Sequence, residues 1–176
     1  MKPQVPALRL RLPRVEKTPK RVHAERWQDF AGIKKNQSLV DELDGIIEGI
    51  GRGDGAPEAH YRAGVDRDRD GLLEERGIMH LHLGGKDSDT LVFLIQYADQ
   101  VVLLESNTHM HFRTQPPGKN ILALSQSWLA ELEHDMQAAA EESKSAEDAV
   151  ARAAAEARRA RIAASLAALK RKDGGT

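Results

Sequence analysis

Two His-x-His pairs bracket the most apolar part of this chain. They are His80-Leu81-His82 and His109-Met110-His111, so four of the seven histidines fall in two short stretches. Imidazole titrates near neutrality and can bind a metal, shuttle a proton or hydrogen-bond a phosphate. Side chains alternate between the two faces of a strand. That sends His80 and His82 to one side and Met79, Leu81 and Leu83 to the other. Two rings sharing a strand face are spaced to meet one metal or one phosphate. His109 and His111 from a neighbouring strand would complete a four-histidine cluster. Arg113 shares the face of His111 in an extended chain and would bring a positive charge to an oxyanion or phosphate. The plainer alternative is a set of polar residues on the open face of a sheet whose other face is apolar.

A metal version and a metal-free version of such a cluster need different things. A catalytic zinc keeps three protein ligands, an open position and a nearby carboxylate. Glu105 is close in sequence, but no His-Glu-x-x-His spacing occurs. The chain has no cysteine, which excludes disulfides and thiolate chemistry and leaves zinc only histidines and carboxylates. Asp66, Asp68, Asp70 and Gly71 open like a calcium loop. The twelfth position, which requires a bidentate Glu, is Gly77, so a solvated acidic loop is the better account. There is no Gly-x-Ser-x-Gly elbow, and Gly118-Lys119 lacks the glycines of a phosphate-binding loop. Lys34, Lys35 and Lys119 are basic residues available to a substrate phosphate, though each alone is more often a solvated surface charge.

The elements that must position these groups follow from periodicity. Strands are expected near 78–84, 90–98 and 100–106, joined by a turn through Gly84-Gly85-Lys86-Asp87 and a tight connection at Ala98-Asp99-Gln100. Leu91 to Ile95 is apolar on both faces, so that strand belongs in the middle of the sheet, covered on both sides. Upstream, Leu8-Arg9-Leu10-Arg11-Leu12 alternates like a short half-buried strand ended by Pro13. Thr18-Pro19 offers a helix cap, and Val22, Trp27, Phe30 and Ile33 follow roughly helical spacing. Asn36 and Ser38 mark a break. A second helix then carries Leu39, Leu43, Ile46, Ile47 and Ile50 on one stripe and stops in Gly51-Arg52-Gly53-Asp54-Gly55. Residues 51–77 read as a long charged loop. After Pro116-Pro117-Gly118, residues 121–132 read as strand-to-helix or wholly helical, and 135–172 as an exposed helix of Ala, Glu, Arg and Lys without a heptad. The fold class is α+β: an N-terminal strand, two helices, a three-to-four-stranded antiparallel sheet and a long C-terminal Ala-rich helix. The domain boundaries are 1–134 for the α+β domain and 135–176 for the helical extension.

Composition narrows the class of protein. At 176 residues with 40% apolar content the chain can bury a core. No run approaches the ~18 apolar residues of a membrane span, and Arg9 and Arg11 interrupt any apolar leader core. A cytoplasmic protein with no membrane partner is expected. The net charge of -1 hides segregation: residues 1–35 hold ten Lys/Arg against three Asp/Glu, and residues 36–77 hold five against eleven. The basic segment suits RNA phosphates or an acidic partner, or else the acidic middle of its own chain.

The block Glu75-Arg76-Gly77-Ile78-Met79-His80-Leu81-His82-Leu83, the Leu91-Val92-Phe93 and Val102-Leu103-Leu104 strands and the His-containing end resemble the RelE/ParE superfamily of toxins. Within it, the YafO-like branch has a comparable His-x-His-Leu strand. The resemblance spans roughly residues 5–130 by element order, is specific around 75–112, and does not reach the Ala-rich tail. It implies the toxin component of a toxin–antitoxin system: a ribosome-associated mRNA endoribonuclease that works without metal or other cofactor and is neutralised by a cognate antitoxin. In such an enzyme His80 or His82 would be the base, His109 or His111 the acid, and Arg113 the phosphate clamp. The Ala-rich helix would offer a surface to the antitoxin or to a second copy. A metal-binding protein or metalloenzyme built on the paired histidines, and a non-enzymatic interaction protein, are the alternatives.

Overall fold

The structure, a computed structural model, describes residues 8–62, 64, 69–110 and 119–173. The chain divides into two compact units, Met1–Ser127 and Trp128–Thr176.

Within the first unit, Leu91–Gln96 forms β4 with every side chain buried. A strand covered on both faces must lie inside a sheet. It pairs antiparallel with β3 (Ile78–His82) on one side and with β5 (Gln100–Asn107) on the other. The outer edge of β5 takes two short parallel strands, β1 (Arg21–His23) and β2 (Gln28–Asp29), giving a five-stranded mixed sheet of order β1-β5-β4-β3 with β2 also on β5. The α+β class is as expected. So, broadly, is the layout, an N-terminal strand region, helices, a sheet and a long C-terminal helix, but the sheet is five-stranded and mixed where three to four antiparallel strands are expected.

Local placements differ at the N-terminus. Leu8 to Leu12 forms no strand; Leu10 N donates to the carbonyl of Gln96, the last residue of β4, at 2.8 Å, and the segment crosses the strand end. The stretch expected to be helical from Pro19 to Ile33 instead holds β1 and β2, followed by a 3-10 turn, Ile33–Lys35. The physical reason lies outside the segment. Lys20 is 3% exposed, and its ammonium donates to the Tyr97 carbonyl at 2.8 Å, the Ala98 carbonyl at 2.5 Å and the Glu16 carboxylate at 2.9 Å. Arg21 N donates to Asp99 O at 2.9 Å, which starts β1 along the open edge of β5. Unfilled donors and acceptors on that edge outweigh a weak helical spacing.

The second expected helix is α1, Gln37–Arg52. Its stripe of Leu43, Ile46 and Ile50, flanked by Leu39, Val40 and Ile47, packs in one core with Met79, Leu81, Leu83, Val92, Leu94 and Leu103. Each such side chain contributes about 1.5–3 kcal/mol on burial. The helix ends on Gly53 at φ 91, where an added Cβ would lie 2.8 Å from the Pro19 ring. No other residue fits that closure without strain. The region expected to be a featureless loop contains a 3-10 turn, Glu58–His60, and a short helix α2, Gly71–Arg76. Asp70 caps α2 by accepting from Leu72 N at 3.0 Å and Leu73 N at 3.2 Å. Asp66 and Asp68 lie outside the described residues.

One irregularity in the sheet affects the site. Phe93 of β4 lies opposite Glu105, yet the next residue, Leu94, lies opposite Leu103, so Leu104 is an extra residue in β5. Such a bulge re-aims the side chains that follow it. Glu105 therefore joins Phe93 and His80 on the face away from α1. Ser106 goes to the α1 side, where its hydroxyl donates to Asp29 at 2.9 Å.

The second unit is helical through its described residues, as part of α3, Lys119–Asp173, and side chains 137–164 are exposed. No helix among the described residues is long and apolar enough to cross a membrane.

Candidate functional site

Alternation along β3 does what the sequence requires of it. Met79 and Leu81 enter the α1 core, and His80 and His82 turn to the other face. His109 arrives from β5. That strand ends at Asn107, so His109 is not on a strand, and β4 lies between it and β3. Because His82 pairs with Leu91, and Leu91 in turn with Asn107, the three chain segments come level at this end of the sheet. One ring nitrogen from each of His80, His82 and His109 lies within 4.8 Å of the others. Ring centroids are 5.4 Å apart for His80–His82, 5.2 Å for His82–His109 and 6.1 Å for His80–His109.

Each Nδ1 faces an oxygen. His82 Nδ1 is 2.9 Å from the Ser88 carbonyl; a carbonyl only accepts, so the ring donates there and Nε2 keeps its lone pair. That Nε2 is buried and makes no hydrogen bond among the described residues. His109 Nδ1 is 2.5 Å from Asp89 Oδ1, which also accepts the His109 backbone N–H at 3.2 Å. His80 Nδ1 faces Asp70 Oδ2 at 3.6 Å, so the residue that caps α2 also borders the cluster. A further layer holds the end of β3 in place. His60 Nδ1 is 3.0 Å from the His82 carbonyl and 3.1 Å from Glu42 Oε1, and both Glu42 oxygens accept from Gly84 N at 2.9 Å.

His80 and His109 open onto a cleft of about 270 Å³ that Arg62, Arg69, Asp70 and Leu72 also line. His82, 4% exposed, is not among the lining residues. Burial, reinforced by the neighbouring rings and by Arg62, drives the His80 pKa down from 6.5 to about 3. Burial also lowers that of His82, against the opposing pull of the Ser88 carbonyl. The hydrogen bond from the His109 ring holds the Asp89 carboxyl below its ordinary range. Glu105, 2% exposed, is pushed up to about 7 by burial.

Of the residues singled out in the sequence, His80, His82 and His109 are brought together. His111 and Arg113 lie outside the described residues, and Lys119 is the first residue of α3. Lys34 and Lys35 sit in the 3-10 turn, Lys34 Nζ 5.1 Å from the Trp27 ring centre, and neither lines the cleft. Arg62, Arg69 and Asp89 were not singled out. No local pattern marks Arg62 or Arg69. Asp70 carries a legible signal, an acidic residue before Gly-Leu-Leu-Glu that starts a helix, which the calcium-like spacing of Asp66, Asp68 and Asp70 masks. No protein-family model, curated protein or solved structure matches the chain.

Proposed function

We propose that the chain is an endoribonuclease that cleaves RNA by imidazole acid–base chemistry. The observation that carries this reading is that His80 and His109, with His82 behind them, border a cleft also lined by two guanidinium groups, Arg62 and Arg69. Guanidinium matches phosphate oxygens in pairs, the role expected of Arg113 in the sequence. Arg69 holds Glu74 in this way, through Nε at 3.0 Å and Nη2 at 2.9 Å, and a phosphate would take that carboxylate's place. In the reaction the ribose 2′-oxygen attacks phosphorus and the bond to the 5′-oxygen breaks. The products are a 2′,3′-cyclic phosphate and a 5′-hydroxyl.

His80 is the base: its ring is neutral at neutral pH and takes the 2′-hydroxyl proton. A phosphate entering the cleft offsets the positive charge of Arg62 and favours the charged ring as the proton arrives. His109, oriented by Asp89 and with 46% of its side chain exposed, donates to the leaving 5′-oxygen. His82 is held by Ser88 and keeps the two rings in position. In this reading the protein is the toxin of a toxin–antitoxin pair, acts on ribosome-bound mRNA in the cytoplasm and is silenced by a cognate antitoxin. The likeness of residues 75–112 to RelE/ParE toxins supports that part.

The test is incubation of purified protein with free and ribosome-bound mRNA. Cleavage leaving cyclic phosphate ends, absent where the scissile ribose lacks its 2′-hydroxyl, is the expected outcome. RNA left intact in both settings, together with normal growth on expression without a partner, refutes it.

A further inference from the structure

We propose that His80, His82 and His109 also form a binding site for one zinc-type divalent cation, and that the cation silences the cleft. Three independent features of the cluster support it. The ligand atoms are already gathered, within 4.8 Å of one another. The Nε2 of His82 is buried with its lone pair turned to no hydrogen-bond donor among the described residues, on a ring 4% exposed. Lastly, the Nδ1 atoms of His82 and His109 meet the Ser88 carbonyl at 2.9 Å and the Asp89 carboxylate at 2.5 Å, while Asp70 Oδ2 stands 3.6 Å from His80 Nδ1, beyond hydrogen-bond reach. Oxygen acceptors behind the non-ligating nitrogen are the usual outer layer of a histidine–metal site; they fix the tautomer and raise ligand basicity.

The chemistry of the donors sets the class of ion. Three neutral imidazoles suit late first-row divalent metals rather than calcium or magnesium, which take oxygen. Zinc–nitrogen bonds of 2.0–2.1 Å place tetrahedral neighbours about 3.3 Å apart, so rings now within 4.8 Å must close by about 1.5 Å. His109, two residues past the end of β5 and with 46% of its side chain exposed, is the ring that must move, and Asp89, itself exposed, moves with it. Arg62 opposes a cation, and Asp70 and Asp89 offset it. The fourth position faces the cleft and is left to water.

The binding claim stands without the nuclease reading; only the silencing rests on it, because rings that bind a metal have no lone pair for the 2′-hydroxyl proton. The test uses full-length protein carrying no histidine tag. Zinc chloride is titrated calorimetrically in chelator-free buffer, and cobalt chloride is added separately to read the visible bands of a four-coordinate ion. One equivalent of zinc is expected, with binding weakened at least tenfold in His82→Gln and in His109→Ala, tenfold or more in Asp89→Ala, and unchanged in His134→Ala. His109 is half exposed, so its variant folds even if the buried His82 variant does not; circular dichroism checks both. Fractional stoichiometry, or equal affinity in His109→Ala, overturns the site. RNA cleavage by the wild type should fall at least tenfold at one equivalent of zinc and return with a chelator. Zinc binding by a protein that never cuts RNA leaves the site standing and removes the nuclease. Cleavage that persists at saturating zinc overturns the silencing.

Discussion

The two faces of one sheet have been put to opposite uses. On the α1 side, Met79, Leu81, Leu83, Val92, Leu94 and Leu103 form an apolar core whose members depend on nothing but contact. On the other side the same three strands bury His82 and Glu105 and half-bury His80 beside Ile78, Leu91 and Phe93. Burying an imidazole or a carboxyl costs free energy that burying a leucine does not. The first face explains why the sheet is stable, and the second concentrates groups whose proton affinities are displaced from ordinary values. Displaced titration in a cleft is a mark of chemistry rather than of packing.

Neighbours on β3 should therefore fail in different ways. His80→Ala is expected to lower RNA cleavage by about 10²–10⁴-fold while leaving the thermal midpoint within a few degrees. Equal loss of stability and activity would erase the distinction between the faces. Leu81→Ala, one residue on, should destabilise by about 2–5 kcal/mol in urea titration, with the RNA cleavage rate of the folded fraction retained.

The proton-bearing face should also give the stability a particular pH profile. Glu105 rises from 4.5 to about 7 on folding, so the stability it contributes is complete below pH 4.5 and lost as pH climbs through 7. His80 runs the other way. Its folded value of about 3 lies below the free value of 6.5, so stability is lost as pH falls from 6.5 towards 3. The two slopes oppose one another between pH 4.5 and 6.5, where the urea midpoint should be nearly flat. Glu105→Gln is neutral at every pH and should gain about 2–3 kcal/mol over wild type at pH 8, and nothing at pH 4. No gain at pH 8 would show that the carboxyl ionises freely. The smallest expected effect is at the cap of α2. Asp70→Ala should cost about 1 kcal/mol and Asp70→Asn almost nothing, since Asn caps equally well. A larger loss in the Asn variant would mean that the charge facing His80 matters more than the cap.

What could be read in the sequence was whatever local period decides. The Leu/Ile stripe of α1 and its glycine-rich stop, the doubly buried β4 and the facing of His80 and His82 all follow from spacing alone, because strong hydrophobic periods leave one way to bury a segment. The Thr18–Ile33 stretch did not follow, because its helical spacing competes with the edge of β5 and with the anchoring of Lys20 on carbonyls 77 and 78 residues away. The same limit hid the guanidinium groups. Arg62 and Arg69 belong to a segment without period, and the turn of α2 against β3 places them near His80. The approach of His109 was legible only as a pair of histidines that could meet. The route, past the end of an intervening strand, belongs to the sheet order.

Leu104 makes the arrangement a matter of parity. Up to Leu103, odd-numbered positions of β5 look towards α1, and beyond it they look away. Flattening the bulge at constant length, with Leu104 taking the place opposite Phe93, would exchange the carboxyl of Glu105 for the hydroxyl of Ser106 on the histidine face without altering either side chain, whereas excising Leu104 would leave both where they are. A lineage of such chains would then gain or lose the acid on the histidine face by keeping or smoothing one bulge, and comparison of residue types alone would not see it happen.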